Sequence, residues 1–188
     1  MISQSGYIRD ILDRYGMSES KAVSTPLLSG TKLEKNDEEP DCEENDIPYQ
    51  ELVGALLYLA VCTRSDIAYT VSYLSQFNNC YKTNHWIAAK RVLRYLQGTR
   101  HMGQRFRKTG KPLESFVDAD WANCPGSRKS YTGFAFIIGG CPISWESRKQ
   151  RTVALSSTEA EYMALTEATK EAMNLKRFLV DIGFERMS

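Results

Sequence analysis

The chain contains 188 residues, of which 42% are hydrophobic and 25% are charged, and its formal net charge is +1. These values are typical of a soluble globular protein that is long enough to bury a core. The longest apolar run, Ala55 to Cys62, is too short to span a membrane, and the N-terminus lacks a signal-peptide pattern. The five scattered cysteines form no CxxC pair, so the sequence indicates neither a zinc site nor a disulfide framework, and we expect an intracellular protein.

The first half of the chain predicts mainly helices. A short helix is predicted over Ile8 to Tyr15, ended by a glycine. Eight acidic residues and one lysine between Glu34 and Asp46 predict an exposed acidic linker, to which we assign residues 31–48. Three further helices are predicted where apolar residues recur at helical spacing, namely from Tyr49 onwards, over Ser65–Phe77 and over Asn84–Gln97.

The second half changes to the pattern of strands. Short stretches rich in aromatic and β-branched residues predict three strands, over Leu113–Val117, Thr132–Ile138 and Pro142–Trp145. The pair Gly139-Gly140 predicts a tight antiparallel hairpin between the last two. A long helix is predicted from about Ser157 to Val180, so the fold class expected here is α+β, with the helix covering one face of the sheet.

A basic run spans the boundary between the two halves. Nine lysines and arginines and no acidic residue lie between Lys82 and Lys111. Such a run is either a solvated helix face or a surface that contacts phosphates, and its aromatic and histidine residues favour the second interpretation. Seven of its residues are candidates for binding a nucleic-acid backbone: Lys90, Arg91, Arg94, Arg100, Arg105, Arg107 and Lys108.

Two aspartates, Asp118 and Asp120, follow the first predicted strand with one residue between them. If the strand continues, both point to the same side of it, where unpaired like charges are unfavourable. Either the strand has ended there, or a cation offsets the charge. Asp118 is the better candidate for a metal ligand because it directly follows the apolar run, whereas Asp120 equally suits a loop cap.

A third acid, Glu161, lies in the first turn of the long predicted helix. Helical spacing aligns it with Leu165 and Ala168 on the apolar face, where a carboxylate is costly unless it is paired or bound to a cation. Helix capping is the alternative role, and it is the role that we predict for Glu159. Together, Asp118 and Glu161 offer the carboxylate oxygens that Mg²⁺ prefers, and paired magnesium ions support phosphodiester cleavage.

Several long motifs carry a resemblance to a known family. The second half resembles the RNase H region of copia-type retrotransposon Pol polyproteins, through DADWA (118–122), SYTGF (130–134), ISWESRKQRTVALSSTEAEYMAL (143–165) and EATKEA (167–172). The first half resembles the segment that joins reverse transcriptase to RNase H in the same family, through YQELVGALLYLAVCTRSDIAYTVSYLSQF (49–77) and HWIAAKRVLRYLQGT (85–99). Even SGYIRDILDRYGM (5–17), followed by VSTPL, is similar to the last part of the polymerase.

The resemblance implies an RNase H fold that cleaves the RNA strand of RNA–DNA hybrids with Mg²⁺. It places the family's first catalytic aspartate on Asp118 and its catalytic glutamate on Glu161, both as metal ligands. It divides the chain into a reverse transcriptase remnant, an acidic linker, a helical connection region and the N-terminal part of an RNase H-like domain, over residues 1–30, 31–48, 49–104 and 112–184.

The family's later catalytic aspartates match no residue of this chain. We therefore expect a truncated RNase H-like fold, with a three-stranded antiparallel sheet and one long helix, preceded by a small helical connection subdomain. The chain alone is then catalytically incomplete, and the alternatives are a non-catalytic nucleic-acid-binding module or a translated relic of a transposable element. The resemblance further implies nucleic acid and the remainder of Pol as partners, without a membrane, in the cytoplasm or a virus-like particle.

Overall fold

A computed structural model describes residues 1–34, 47–124 and 126–184. The chain divides into two compact units, Met1–Gln104 and Arg105–Ser188. Most of the predicted acidic linker, residues 31–48, lies outside the described residues. The predicted remnant of reverse transcriptase, residues 1–30, belongs to the same unit as the helices that follow it. Within the described residues, no helix has the length and apolar content needed to cross a membrane.

The first unit is helical, as the periodicity predicted. Its elements are helix α1 (Ser5–Arg14), helix α2 (Tyr49–Cys62), a 3₁₀ turn (Ser65–Ile67), helix α3 (Ala68–Ser75) and helix α4 (Thr83–Thr99). The core of this unit forms around α2, whose Leu52, Leu56 and Leu59 are fully buried. Helix α2 packs against both α3 and α4, which explains why its leucines recur at helical spacing.

A buried ion pair lies at the start of a segment whose observed structure differs from the predicted helix. The segment Ser65–Phe77 was expected to form one helix, but its first three residues form a 3₁₀ turn. Arg64, whose side chain is only 2% exposed, donates two hydrogen bonds to the Asp66 carboxylate, at 2.9 and 2.7 Å. Arg64 also donates to the carbonyl and hydroxyl oxygens of Thr99, at 3.2 and 2.6 Å, while Tyr95 donates to Asp66 at 2.7 Å. The Asp66 carboxylate is therefore held by Arg64 and Tyr95 at the start of this segment.

The second unit is a three-stranded antiparallel sheet with one long helix, so the predicted α+β class is confirmed. Strands β1 (Glu114–Asp120), β2 (Tyr131–Ile138) and β3 (Cys141–Lys149) lie in the order β1-β2-β3. Helix α5 (Ser157–Asp181) follows and packs against β1 and β2. Strand β3 is longer than predicted, because Glu146 to Lys149 pair with β2 although they carry no apolar pattern.

The predicted Gly139-Gly140 hairpin joins β2 to β3. Both glycines have positive φ, 61° and 81°, as a two-residue turn of this kind requires. A Cβ atom on Gly139 would lie 2.9 Å from the backbone oxygen of Arg107, so the turn also needs the space that glycine leaves. Arg107 in turn donates its backbone N–H to the Gly139 oxygen at 2.9 Å.

Helix α5 packs against the sheet through small residues. Ala160, Ala164 and Ala168 are buried, at four-residue spacing, whereas Leu165 is 52% exposed. The predicted apolar face is therefore confirmed at Ala160 and Ala168 but wrong at Glu161 and Leu165, which are exposed. The small alanines allow the helix backbone to approach the strands closely, and large apolar residues at neighbouring positions remain outside.

Candidate functional site

Contacts between β3 and α5 show which face of the sheet the helix covers. Ser144 donates to Glu171 at 2.7 Å, and Arg148 donates to Glu167 at 3.2 Å. Directly paired residues of antiparallel strands have their side chains on the same face. Following the register from β3 through β2 to β1 places Val117 and Ala119 on the covered face.

Asp118 therefore lies on the opposite face of the sheet. It pairs with Gly133, and its neighbours on that face of β1 are Phe116 and Asp120. The expectation that Asp118 and Glu161 face each other across the gap between sheet and helix is therefore corrected. Both residues are exposed, and neither carboxylate forms a hydrogen bond or an ion pair with another described residue.

Two hydrogen bonds from Gln150 nevertheless tie the first turn of α5 to the start of β2, which pairs with the end of β1. The Gln150 side-chain amide donates to Thr132 Oγ1 at 3.1 Å and to the carbonyl oxygen of Ala160 at 3.0 Å. Thr132 is paired with Ala119, the residue after Asp118. Trp121 Nε1 donates to the Ala154 carbonyl oxygen at 3.2 Å and so ties the end of β1 to the loop that leads into α5.

Glu161 lies on the flank of α5 that is directed towards β1. Residues Glu167 and Glu171 contact β3, and Ala160 and Ala164 face the sheet. At about 100° per residue, Glu161 is on the side of the helix away from the β3 contacts. Strand β1 is an edge strand among the described residues, so Asp118 lies on the uncovered face of this strand, whereas Glu161 lies on the side of the covered face.

The carboxylate oxygens of Asp118 and Glu161 are ligands of the kind that a hard divalent cation prefers. Asp118 and Glu161 offer carboxylate oxygens that no other described residue engages, and magnesium sites commonly combine one or two carboxylates with water and phosphate oxygens. No group of three or more histidine, cysteine, aspartate or glutamate side chains suited to a metal ion occurs in residues 1–34, 47–124 and 126–184. The described residues therefore supply two candidate ligands.

The neighbouring acids have structural roles. Ser156 accepts a hydrogen bond from the Glu159 backbone N–H at 3.1 Å, and the Glu159 carboxylate accepts one from the Leu155 backbone N–H at 2.6 Å. The predicted capping role of Glu159 is confirmed. Asp120 accepts a short hydrogen bond from the Asn123 side-chain amide in the turn after β1, as expected for a loop cap.

The predicted nucleic-acid-binding residues divide into two groups. In the first unit, Lys90 lies over the Trp86 ring at 5.1 Å, Arg91 donates to Thr25 at 3.0 Å, and Arg94 donates to the Lys21 carbonyl oxygen at 2.7 Å. Arg91 and Arg94 thus attach the N-terminal segment to α4, whereas the Lys90 contact lies within α4. The other four predicted residues are exposed, with Arg100 in the first unit and Arg105, Arg107 and Lys108 in the second.

The known proteins that are similar to this chain indicate the family to which it belongs. No family model and no solved structure matches the chain. The chain is 43% identical over 189 residues to the retrovirus-related Pol polyprotein from transposon TNT 1-94 of Nicotiana tabacum, covering 98% of this chain and 14% of that polyprotein. It is 39% identical over 188 residues to the Pol polyprotein from transposon RE2 of Arabidopsis thaliana, covering 98% of this chain and 12% of the relative. The chain belongs to the retrovirus-related Pol polyproteins of copia-type transposons.

A shorter relative of this Pol segment has a different name. Secreted RxLR effector protein 161 of Plasmopara viticola is 53% identical over 129 residues, which cover 68% of this chain and 91% of the effector. The Pol segment thus spans only a small part of the long transposon polyproteins, but shares nearly the whole length of this shorter protein.

Sequence reasoning missed Gln150, which connects the elements of the Pol segment's candidate site. Its side chain is 6% exposed and holds β2 and α5 together. A glutamine between Lys149 and Arg151 gives no signal of burial in the sequence, since both neighbours are charged. The strand register places Arg148 on the face that α5 covers. Gln150 is two residues further along the extended chain, so its side chain faces the helix as well.

Proposed function

We propose that the second unit is the N-terminal part of an RNase H-like domain, whose parent polyprotein cleaves the RNA strand of RNA–DNA hybrids during reverse transcription. The observation that carries this proposal is the position of the first turn of α5, with Glu161, at the end of β1 that bears Asp118. Three antiparallel strands followed by a helix with this acid placement agree with the order of motifs in the family.

Asp118 and Glu161 are the metal ligands in this proposal. Both are exposed, and no cation from another described residue neutralises either one. A bound Mg²⁺ would supply an activated water and stabilise the leaving oxygen of a phosphodiester. The chain's own contribution is to hold the two carboxylates at one end of β1, through Gln150 and Trp121. Further ligands come from the rest of Pol in this proposal, which makes the segment incomplete as a nuclease by itself.

The first unit is proposed to connect the reverse transcriptase to this domain. Its α1 and α4 pack against each other, so the N-terminal segment is held by the helices that follow the acidic stretch. The hydrogen bonds of Arg91 and Arg94 to that segment support the same attachment. The remainder of the polyprotein is then the natural partner of this unit.

A chimera tests the catalytic proposal. This chain replaces the matching segment of the TNT 1-94 Pol polyprotein, and cleavage of a labelled RNA–DNA hybrid is measured with Mg²⁺. We expect cleavage by the chimera and a loss of at least about 100-fold on Asp118→Asn or Glu161→Gln, because losing a metal ligand removes several kcal/mol of transition-state stabilisation.

The matched controls are Asp120→Asn and Glu159→Gln, which make the same chemical change at acids with capping roles. The controls are expected to keep most of the activity at a temperature where the chimera is folded. The proposal is refuted if the unaltered polyprotein cleaves the hybrid and the chimera with Asp118→Asn cleaves it equally well.

A second candidate function is favoured by the shorter relative. Because the shared region makes up 91% of Secreted RxLR effector protein 161, such a region can occur as most of a protein that lacks the full length of Pol. We propose as the alternative a non-catalytic nucleic-acid-binding module or a translated relic. A chimera that binds the hybrid without cleaving it would favour the binding module, and one that does neither would favour the relic.

A further inference from the structure

A groove in the Met1–Gln104 unit lies between α4 and the N-terminal segment that precedes the acidic stretch. It has a volume of about 620 Å³, which is in the range of ligand-binding sites. We call it the α4 groove. Its apolar lining residues come from the N-terminal segment and from α4; they are Met17, Leu27, Leu28, Leu33, Ile87 and Ala88.

Two large aliphatic side chains of the α4 groove are exposed to solvent. Leu28 is 58% exposed and Ile87 is 63% exposed, whereas Leu33 in the same groove is only 5% exposed. Single exposed aliphatic residues are common on protein surfaces, but here two of them line one concave site. Covering them with a partner would remove apolar area from water, which is favourable.

The walls of the α4 groove are held in place by hydrogen bonds. The Leu33 backbone N–H donates to the Tyr73 hydroxyl at 2.8 Å, and that hydroxyl donates to the Leu33 carbonyl oxygen at 3.2 Å. Arg91 and Arg94 bind the N-terminal segment further upstream, at 3.0 and 2.7 Å. A groove whose walls are already fixed loses little conformational freedom when a partner binds.

The rim of the α4 groove is positively charged. Among the described residues that line it there is no acid, and there are four cations, Lys32, Lys90, Arg91 and Arg94. Arg91 and Arg94 donate to uncharged oxygens and Lys90 lies over the Trp86 ring, so these contacts leave the positive charges in place. Within residues 1–34, 47–124 and 126–184, none of the four forms an ion pair with a carboxylate. The groove therefore favours a partner that carries negative charge.

We propose that the α4 groove binds an acidic segment of another protein that also carries aliphatic side chains. The aliphatic side chains pack on Leu28 and Ile87, and the carboxylates lie near the cationic rim. The chain's own acidic stretch, Glu34 to Asp46, contains no leucine, isoleucine, valine, methionine or phenylalanine to fill the apolar floor. A second copy in a two-fold contact would place the four cations of one groove against those of the other.

This inference is independent of the proposed nuclease function. The candidate metal ligands belong to the Arg105–Ser188 unit, whereas every described residue that lines the α4 groove belongs to the Met1–Gln104 unit. A chimera that failed to cleave a hybrid would therefore leave this proposal unaffected.

Calorimetric titration of the whole chain with four synthetic peptides tests the proposal. The parent peptide has leucines at helical spacing and glutamates at the other positions. Replacing its glutamates by glutamines is expected to weaken binding about tenfold, and replacing its leucines by alanines at least about tenfold. Replacing the glutamates by lysines is expected to abolish binding. No binding of the parent peptide at millimolar concentration, or equal binding of the parent and alanine peptides, would overturn the proposal.

Two variants with matched controls in the same unit locate the binding. Ile87→Ser is expected to weaken binding of the parent peptide about tenfold, whereas Val61→Ser, at a site on α2 that is 72% exposed, leaves it unchanged. Lys32→Gln is expected to weaken it about threefold, whereas Lys21→Gln, at an exposed lysine outside the groove, leaves it unchanged. A variant that has the same effect as its control would contradict the location.

Three results would identify a different occupant and so overturn the proposal. A dimer in sedimentation experiments that Ile87→Ser converts to monomers would identify a second copy of this chain. An RNA–DNA hybrid that binds more tightly than the parent peptide, and that loses affinity on Ile87→Ser, would identify nucleic acid. Peptide binding that appears only after the acids of residues 37–46 are replaced by their amides would identify the chain's own acidic stretch. A monomeric chain that binds the parent peptide without any of these changes supports the proposal.

Discussion

Replacing Phe136 by alanine is expected to lower the free energy of unfolding of the Arg105–Ser188 unit by about 3–5 kcal/mol. Phe136 is 2% exposed and lies on the sheet face that α5 covers, with its ring centroid 5.7 Å from that of Phe134. The buried residues of α5 that oppose the sheet are alanines, so no large neighbouring side chain on the helix can fill the cavity. Urea unfolding followed through NMR signals of this unit measures the loss.

Phe116→Ala is the matched control for that prediction. Phe116 is 60% exposed and shares the uncovered face of β1 with Asp118. Its replacement is expected to change the free energy of unfolding by no more than about 0.5 kcal/mol, as for most surface positions. Equal losses for the two variants would show that the sheet faces are assigned incorrectly, and with them the position of Asp118.

Asp66→Asn is expected to destabilise the Met1–Gln104 unit by about 3 kcal/mol. The change leaves Arg64, whose side chain is 2% exposed, as a buried charge without its carboxylate partner, and breaking a buried pair in this way typically costs about 3–5 kcal/mol. Asp66 itself is 29% exposed, which places the expectation at the lower end of that range. Thermal or urea unfolding followed through NMR signals of the first unit provides the measurement, with the exposed Asp10→Asn as control.

The same ion pair predicts a pH dependence. Burial raises the pKa of Asp66, but hydrogen bonds from Arg64 and Tyr95 and the charge of Arg64 outweigh that effect, so the pKa is lowered from its ordinary value of 3.8. The ionised carboxylate therefore stabilises the fold above about pH 4, and this contribution is lost as the pH falls through the lowered pKa. The difference in stability between the natural chain and Asp66→Asn should accordingly shrink in acid. A difference that is constant down to pH 2 would contradict this account.

The sequence predicted elements well where local chemistry and periodicity agree. Gly139-Gly140 identified the β2–β3 hairpin because two residues with positive φ are required there, and the leucines of α2 identified a buried helix because they lie on one face. The 3₁₀ turn at Ser65 was not predictable from periodicity, since Arg64 and Asp66 there bind Thr99 and Tyr95, respectively, from a distant part of the chain.

The candidate site shows the limits of the same reasoning. The residue types and their order pointed to Asp118 and Glu161, but the sequence does not reveal which face of a sheet a helix covers. Leu165 suggested one helix face through its hydrophobicity, whereas close packing selected the smaller Ala164. The charge of Arg91 and Arg94 suggested nucleic-acid contacts, but these side chains bind the N-terminal segment through tertiary contacts that sequence alone does not indicate.

The proposed metal site requires Asp118 and Glu161 to reach one divalent cation around the free edge of β1, because they lie on opposite faces of the sheet. Titration of the ¹⁵N-labelled chain with Mn²⁺ tests it directly, because this paramagnetic ion broadens the NMR signals of nearby residues whether or not the site is catalytically complete. We predict that the amide signals of both residues broaden over the same range of Mn²⁺ concentration, and that Asp118→Asn abolishes the effect at Glu161. Broadening at Glu161 that persists in Asp118→Asn, or no broadening at either residue, would contradict the shared site.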